Sequence, residues 1–177
     1  MNRPANQTPA AKSPGPGHLF CDAGRHRPQC GPVFQPRFPV IIRSYAPSDE
    51  AQVIALWRTS GLVYPQNDPT KDIARKLKVD PEWFLVGEED GRVVGTVMVG
   101  YEGHRGWVNY LAVEPTQRRS GRGRALMAAA EDILRAEGCP KINLQVRTGN
   151  ADALAFYQHL GFQTDDVISL GKRLETD

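Results

Sequence analysis

The sequence predicts an α/β fold with a mixed central β-sheet flanked by helices, and three observations lead there. Short β-branched and aromatic runs alternate with longer Ala/Leu-rich runs of helical period. The dipeptide Asp90-Gly91 lies between two such strand-like runs and is the strongest hairpin signal in the chain, so at least two strands are antiparallel neighbours. A strand-like run at 107–113 is followed by Arg118-Arg119-Ser120-Gly121-Arg122-Gly123 and then by a helix-like run at 124–137, which makes a strand-loop-helix unit.

Composition narrows the class. A chain of 177 residues with 40% hydrophobic content suits one domain with a core of ordinary size. The net charge of +2 gives no argument for nucleic acid. No run of about 18 apolar residues is present, so no membrane span is expected. Three cysteines do not form a disulfide framework, and a cytoplasmic protein is the default expectation.

Residues 1–38 stand apart. They hold half of the prolines and little apolar periodicity, and such a segment is expected to be disordered. His18, Cys21, His26 and Cys30 fall within it, of a type and number that can close a zinc site, but the spacing fits no zinc module and no metal is assigned.

The globular part is expected over 39–177. Residues 40–45 read as a first strand. Ser48 is expected to cap a helix with Asp49 and Glu50 in its first turn, Val53, Leu56, Trp57 and Ser60 on its buried stripe, and Gly61 at its end. Asp68-Pro69 starts a second helix with Ile73 and Leu77 inward. Residues 84–89 and 92–101 are the two arms of the Asp90-Gly91 hairpin, and a looser connection at 102–106 leads to the strand at 107–113. Leu126, Ala130, Ile133 and Leu134 form the inward stripe of the next helix, which Gly138 and Pro140 end. Residues 141–147 alternate as a strand, Asn150 opens a last helix, and residues from 162 onward are expected to supply final strands.

The strand-loop-helix unit carries the chemistry. A helix start leaves about four backbone N–H groups unpaired at the positive end of the macrodipole. Gly121 and Gly123 let a ligand approach that backbone, and the arginines add charges that fork onto phosphate oxygens. Together they describe a diphosphate site. The spacing matches neither GxxxxGK[ST] nor GxGxxG. The same arginines suit RNA as well, but no neighbouring aromatics offer base stacking, which favours the small ligand.

The pattern R-x-x-G-x-G from Arg118 to Gly123, between strand and helix, resembles the acyl-CoA pyrophosphate loop of the GNAT superfamily of N-acetyltransferases. A second stretch, from Asn150-Ala151-Asp152-Ala153-Leu154-Ala155-Phe156-Tyr157 to Leu160-Gly161-Phe162, resembles that superfamily's N-x-x-A-x-x-F-Y-x-x-L-G-F motif, and the element order agrees with the GNAT fold over about residues 39–177. Asn67-Asp68-Pro69, the 100–106 loop and Ser169 to Leu174 resemble the bacterial YpeA-type acetyltransferases within it.

The resemblance implies acetyl-CoA as donor, an amine as acceptor, no nucleic acid or membrane partner, and a homodimer as a form the family admits. It implies that the backbone N–H groups of Arg119, Ser120, Gly121, Arg122, Gly123 and Arg124 hold the pyrophosphate, with Arg118 counted among the cofactor-binding residues. Leu111, Ala112 and Val113 would flank the pantetheine arm, in a gap between the strands ending at Val113 and Arg147, and Asn150 would hydrogen-bond that arm. Tyr157 would protonate the leaving thiolate, although its register with Leu154 and Leu160 also suits a core aromatic. Relatives of the ribosomal-protein type carry a glutamate where Gln145 stands here, and Gln145 cannot take a proton at neutral pH. Glu102 and His104 are then the candidate bases. A weak base favours an acceptor of low pKa: an α-amine titrates near ~8, whereas a lysine near ~10.4 costs about 4 kcal/mol to deprotonate at pH 7.5. Cys139 reads as structural, and no Cys-His pair suggests a covalent intermediate. The alternative of another class is a non-catalytic CoA-binding or interaction module on the same fold.

Overall fold

The structure is a computed structural model that describes residues 40–175. The segment 1–38 and its His18, Cys21, His26 and Cys30 lie outside the described residues.

Five strands form one sheet in the order of the chain: β1 (Ile41–Ser44), β2 (Phe84–Glu89), β3 (Arg92–Tyr101), β4 (Gly106–Val113) and β5 (Ile142–Asn143). β1 to β4 are antiparallel, and only β4 and β5 run parallel, so the sheet is mixed as expected. The turn between β2 and β3 puts Asp90 at φ 50° and Gly91 at φ 74°, the left-handed pair of a tight hairpin.

Four helices cover the two faces. Over one lie α1 (Glu50–Thr59) and α2 (Pro69–Lys76), whose Val53, Leu56, Trp57 and Ile73 are buried against Tyr45, Phe84, Val86 and Met98. Over the other lie α3 (Arg122–Ala136) and α4 (Ala151–His159). There Leu126, Met127, Ala130 and Leu134 pack on Leu85, Val97, Val99 and Val108, while Phe156, Tyr157 and Leu160 join from α4. The chain is α/β, three layers deep.

Local chemistry explains the helix starts. Asp68 accepts from the N–H of Thr70 at 2.9 Å, with Pro69 at the first helical position, as the sequence predicts. The start of α1 differs from expectation. A 3-10 turn, Pro47–Asp49, precedes it, and no side-chain bond from Ser48 caps it. Asp49 turns inward instead, accepts from Ala46 N–H at 2.8 Å and binds the Arg43 guanidinium at 2.7 and 2.9 Å. The arginine holds this buried carboxyl below the usual carboxylate range.

The far edge of the sheet also differs. The alternating run 141–147 is strand only at Ile142–Asn143, and the expected strands beyond Phe162 do not form among the described residues. A strand needs a hydrogen-bonding neighbour, and β4 accompanies β5 for two residues only.

Candidate active site

β4 pairs with β5 at Gly106 with Ile142 and Trp107 with Asn143, and nowhere further along. Residues 108–113 of β4 therefore have no strand on that side. This is the gap expected between the strands leading to Val113 and Arg147, although the second flank is irregular chain after Asn143.

A β-bulge marks the same stretch of β4. Thr96 stands opposite Ala112, but Met98 stands opposite Asn109, so Tyr110 and Leu111 share the single partner position of Val97. Tyr110 adopts φ 51°, a conformation that a bulky side chain seldom holds without outside support. That support is visible. The hydroxyl of Thr96 donates to the carbonyl of Tyr110 at 2.9 Å and accepts from the indole N–H of Trp57 at 2.9 Å. The rings of Trp57 and Tyr110 stack with centroids 4.0 Å apart, and the Tyr110 hydroxyl donates to Asp72 on α2 at 2.5 Å. Sequence reasoning missed these four residues, because the run 107–113 looks like a regular strand and Trp57 like a core residue alone.

Beyond Val113 a 3-10 turn, Pro115–Gln117, leads to the start of α3 at Arg122. Gly121 precedes it at φ 86°, with open space where a side chain would project. Arg119 is left-handed too, at φ 62°. No group of the described residues takes up the backbone N–H groups of residues 119–124. Two left-handed residues before a helix start gather these donors into an anion-binding concavity.

The side chains divide by role. Arg119, Ser120 and Arg124 are exposed, and neither arginine enters an ion pair among the described residues. Arg118 donates to the carbonyl of Val113 at 3.3 Å. Arg122 turns away, forking onto Glu89 at 2.6 and 2.7 Å with both side chains 13% exposed, and donating to Ser120 Oγ at 2.5 Å. It fixes the loop to β2 through its two terminal nitrogens, while its Nε is buried without a partner among the described residues. Gly123 faces inward: a Cβ there would lie 3.1 Å from the Phe156 ring, so this glycine admits α4 where a ligand's approach was expected.

That contact sets α4 beside the loop. Asn150 caps α4, accepting from Ala153 N–H at 3.1 Å. Tyr157 packs edge-on between Phe156 and Phe162, at centroid distances of 5.2 and 5.6 Å. Burial pushes its phenol up to about 12, and none of the described residues hydrogen-bonds its hydroxyl. The group stays protonated at physiological pH and is free to donate.

Glu102 and His104 sit in the loop before β4, at the end where β4 and β5 are still paired, and eight strand residues from the 114–121 loop. The Glu102 carboxylate accepts from the N–H of His104 at 2.5 Å and of Arg105 at 3.1 Å. The His104 N–H bond is the main cause of its lowered pKa, and a lowered pKa weakens a base. Its observed work is to brace its own loop. Gln145 is exposed and donates to Ser169 Oγ at 2.5 Å. Among the described residues there is no cluster that could hold a metal ion, and no helix long and apolar enough to cross a membrane.

Comparison with known proteins bears on the family and the fold. A family model described as "Acetyltransferase (GNAT) family" matches residues 51–162. Acetyltransferase YE1169 of Yersinia enterocolitica is 48% identical over 136 residues, which covers 77% of this chain and 96% of that protein. Among solved structures, Ard1 from Thermoplasma volcanium superposes with a TM-score of 0.65 at 30% identity, covering 70% of this chain and 82% of that one. The aminoglycoside N-acetyltransferase AAC(6')-Iy in complex with CoA superposes with a TM-score of 0.63 at 17% identity, covering 79% and 99%, a likeness of fold.

Proposed function

Since the chain belongs to the GNAT family of acetyltransferases, we propose that it moves an acetyl group directly from acetyl-CoA to a primary amine, on a small molecule or at a protein N-terminus. The observation that carries this reading is one juxtaposition. A β4 edge without a strand partner runs into a loop whose backbone N–H groups at 119–124 are untaken. The loop suits a pyrophosphate, and the open edge at Leu111, Ala112 and Val113 suits an amide-bearing arm laid beside it as an added strand.

In this reading the amine attacks the thioester carbonyl, and strand N–H groups at the bulge stabilise the oxyanion. The carbon–sulfur bond then breaks, CoA leaves as its thiolate, the acylated nitrogen gives up its proton to water, and the thiolate takes a proton from solvent. Tyr157 donates its hydrogen bond to the sulfur as charge develops there. Complete transfer from a phenol at about 12 to a thiolate of ordinary pKa is uphill by about 5 kcal/mol, so Tyr157 serves as a donor that steadies the leaving group. Glu102 is not placed as a strong base, since its carboxylate braces its own loop. The acceptor is therefore one that is partly neutral at pH 7.5, an α-amine before a lysine.

The test is calorimetry with acetyl-CoA, followed by acetylation of peptides with free N-termini, amino acids, polyamines and lysine side chains. Binding together with transfer to α-amines is the expected result. Binding without transfer to any amine would leave a CoA-binding module, and failure to bind either acetyl-CoA or CoA would overturn the reading.

A further inference from the structure

Two parts of the chain meet on the α1/α2 side of the gap beside β4. The connection 60–68 between α1 and α2 carries Tyr64, and the irregular flank after β5 carries Arg147. The central carbon of the Arg147 guanidinium lies 3.7 Å from the centroid of the Tyr64 ring. Ile142 and Leu144 on the same flank pack with the α3 cluster, so this flank sends its apolar side chains to one face and Arg147 to the other. The last paired residues of the two flanks are Trp107 and Asn143. Equally far beyond them along the chain stand Leu111, at the bulge, and Arg147.

The ring under this guanidinium is held in place. The Tyr64 carbonyl accepts from the N–H of Asn67 at 2.9 Å. Arg173 donates to the carbonyl of Gln66 at 2.8 Å and to Asn67 Oδ1 at 3.2 Å, which ties down the same connection. Stacking fixes the plane of the Arg147 guanidinium and leaves the N–H groups at its edge to point outward. Those groups enter no hydrogen bond or ion pair among the described residues. Arg173 has no carboxylate partner among them either. A fork held flat in this way loses little freedom when it grips a carboxylate with two N–H bonds, and it repels a polycation.

We infer that Arg147, stacked on Tyr64, reads a carboxylate on the acceptor, so that the acceptor is a primary amine with a carboxylate close to its nitrogen. This rests on the acetyl-transfer reading above and narrows its acceptor. In that reading the oxyanion is stabilised at the bulge, and an amine reaching the bulge from the α1/α2 side passes Arg147. Gripping a neighbouring carboxylate there orients the nitrogen towards the thioester and lowers the entropy cost of the attack. Two sources offer this chemistry: a free amino acid, and a peptide whose first side chain is acidic.

The test gives the full chain acceptors in matched pairs: free amino acids against their amides, and peptides that begin with Asp against peptides that begin with Asn. The carboxylate member of a pair is expected to show a kcat/KM higher by about tenfold or more, and the pair that shows it names the source. Arg147→Gln is expected to abolish the preference by raising the KM for the carboxylate acceptor about tenfold or more, far beyond any fall in kcat, with the acetyl-CoA dissociation constant near that of wild type. A packing role alone would move both members of a pair equally. Wild-type protein that uses the two members of every pair alike overturns the inference, and so does an Arg147→Gln protein that keeps the preference. Either result leaves acetyl transfer standing. Failure to bind acetyl-CoA, or to acetylate any amine, removes that reading and this inference with it.

Discussion

The indole N–H of Trp57 on α1 donates to the hydroxyl of Thr96 on β3 at 2.9 Å, and both side chains are fully buried. Because the same hydroxyl donates to the Tyr110 carbonyl, a helix on one face of the sheet is tied to the bulge in β4. Thr96→Val keeps the shape and removes both bonds, leaving a buried donor and acceptor unpaired. A loss of about 2–4 kcal/mol is expected in urea unfolding. Acetyl transfer should fall further than the loss of folded protein explains, since the bulge loses its tether, while Thr96→Ser should recover most of both. A Thr96→Val protein with wild-type turnover would separate the bulge from catalysis.

Tyr157 gives a cleaner catalytic readout because its hydroxyl serves no described contact. Tyr157→Phe should leave the melting temperature nearly unchanged and lower kcat by about a hundredfold, with a small effect on the KM for acetyl-CoA. With the phenol at about 12, its ionisation is silent below about pH 10. The rise of kcat/KM with pH should instead follow the acceptor amine and level off near ~8 for an α-amine. An unchanged kcat in Tyr157→Phe would assign the side chain to packing alone.

The sequence carried the layers and the loop, for identifiable reasons. Asp90-Gly91 and Asp68-Pro69 are local signals whose geometry depends on their own residues, and both turn and cap form as expected. The bulge was hidden because period-two alternation assigns Val108, Tyr110 and Ala112 to one face. The structure sends Val108 to the α3 side and Tyr110 and Ala112 to the α1 side, a switch set by a buried hydroxyl distant in sequence. Gly123 misled for a related reason: a glycine kept small for a ligand and one kept small for Phe156 look alike in the chain. The strands after Phe162 were expected from composition, but pairing partners are not a property of composition.

Asp49 sets an acid limit on stability. Its carboxyl is held low by Arg43, so between the unfolded pKa near ~3.9 and the lower folded value the unfolded chain binds more protons. The stabilisation is therefore complete above the unfolded value and is lost as pH falls through the folded one. Asp49→Asn should cost about 2 kcal/mol at pH 7, because Arg43 loses its buried partner while Glu88 at 2.7 Å still screens it. At pH 2 the difference between the two proteins should shrink. A gap in urea midpoint that stays constant from pH 7 to pH 2 would show that the ion pair is not the source.

Gly121 and Gly123 lie two residues apart and predict opposite behaviour. Gly121 is left-handed and faces open space, so Gly121→Ala meets no neighbour and costs about 1 kcal/mol of backbone strain. It also disturbs the N–H groups that the loop presents, and the acetyl-CoA dissociation constant should rise about tenfold or more. Gly123→Ala pushes on the Phe156 ring at 3.1 Å, which shifts α4 and with it Tyr157. That variant should lose stability and kcat while acetyl-CoA binding declines less. Calorimetry and turnover on both variants decide the matter. If Gly121→Ala binds acetyl-CoA like wild type, the 119–124 backbone does not hold the pyrophosphate, whatever Gly123→Ala does.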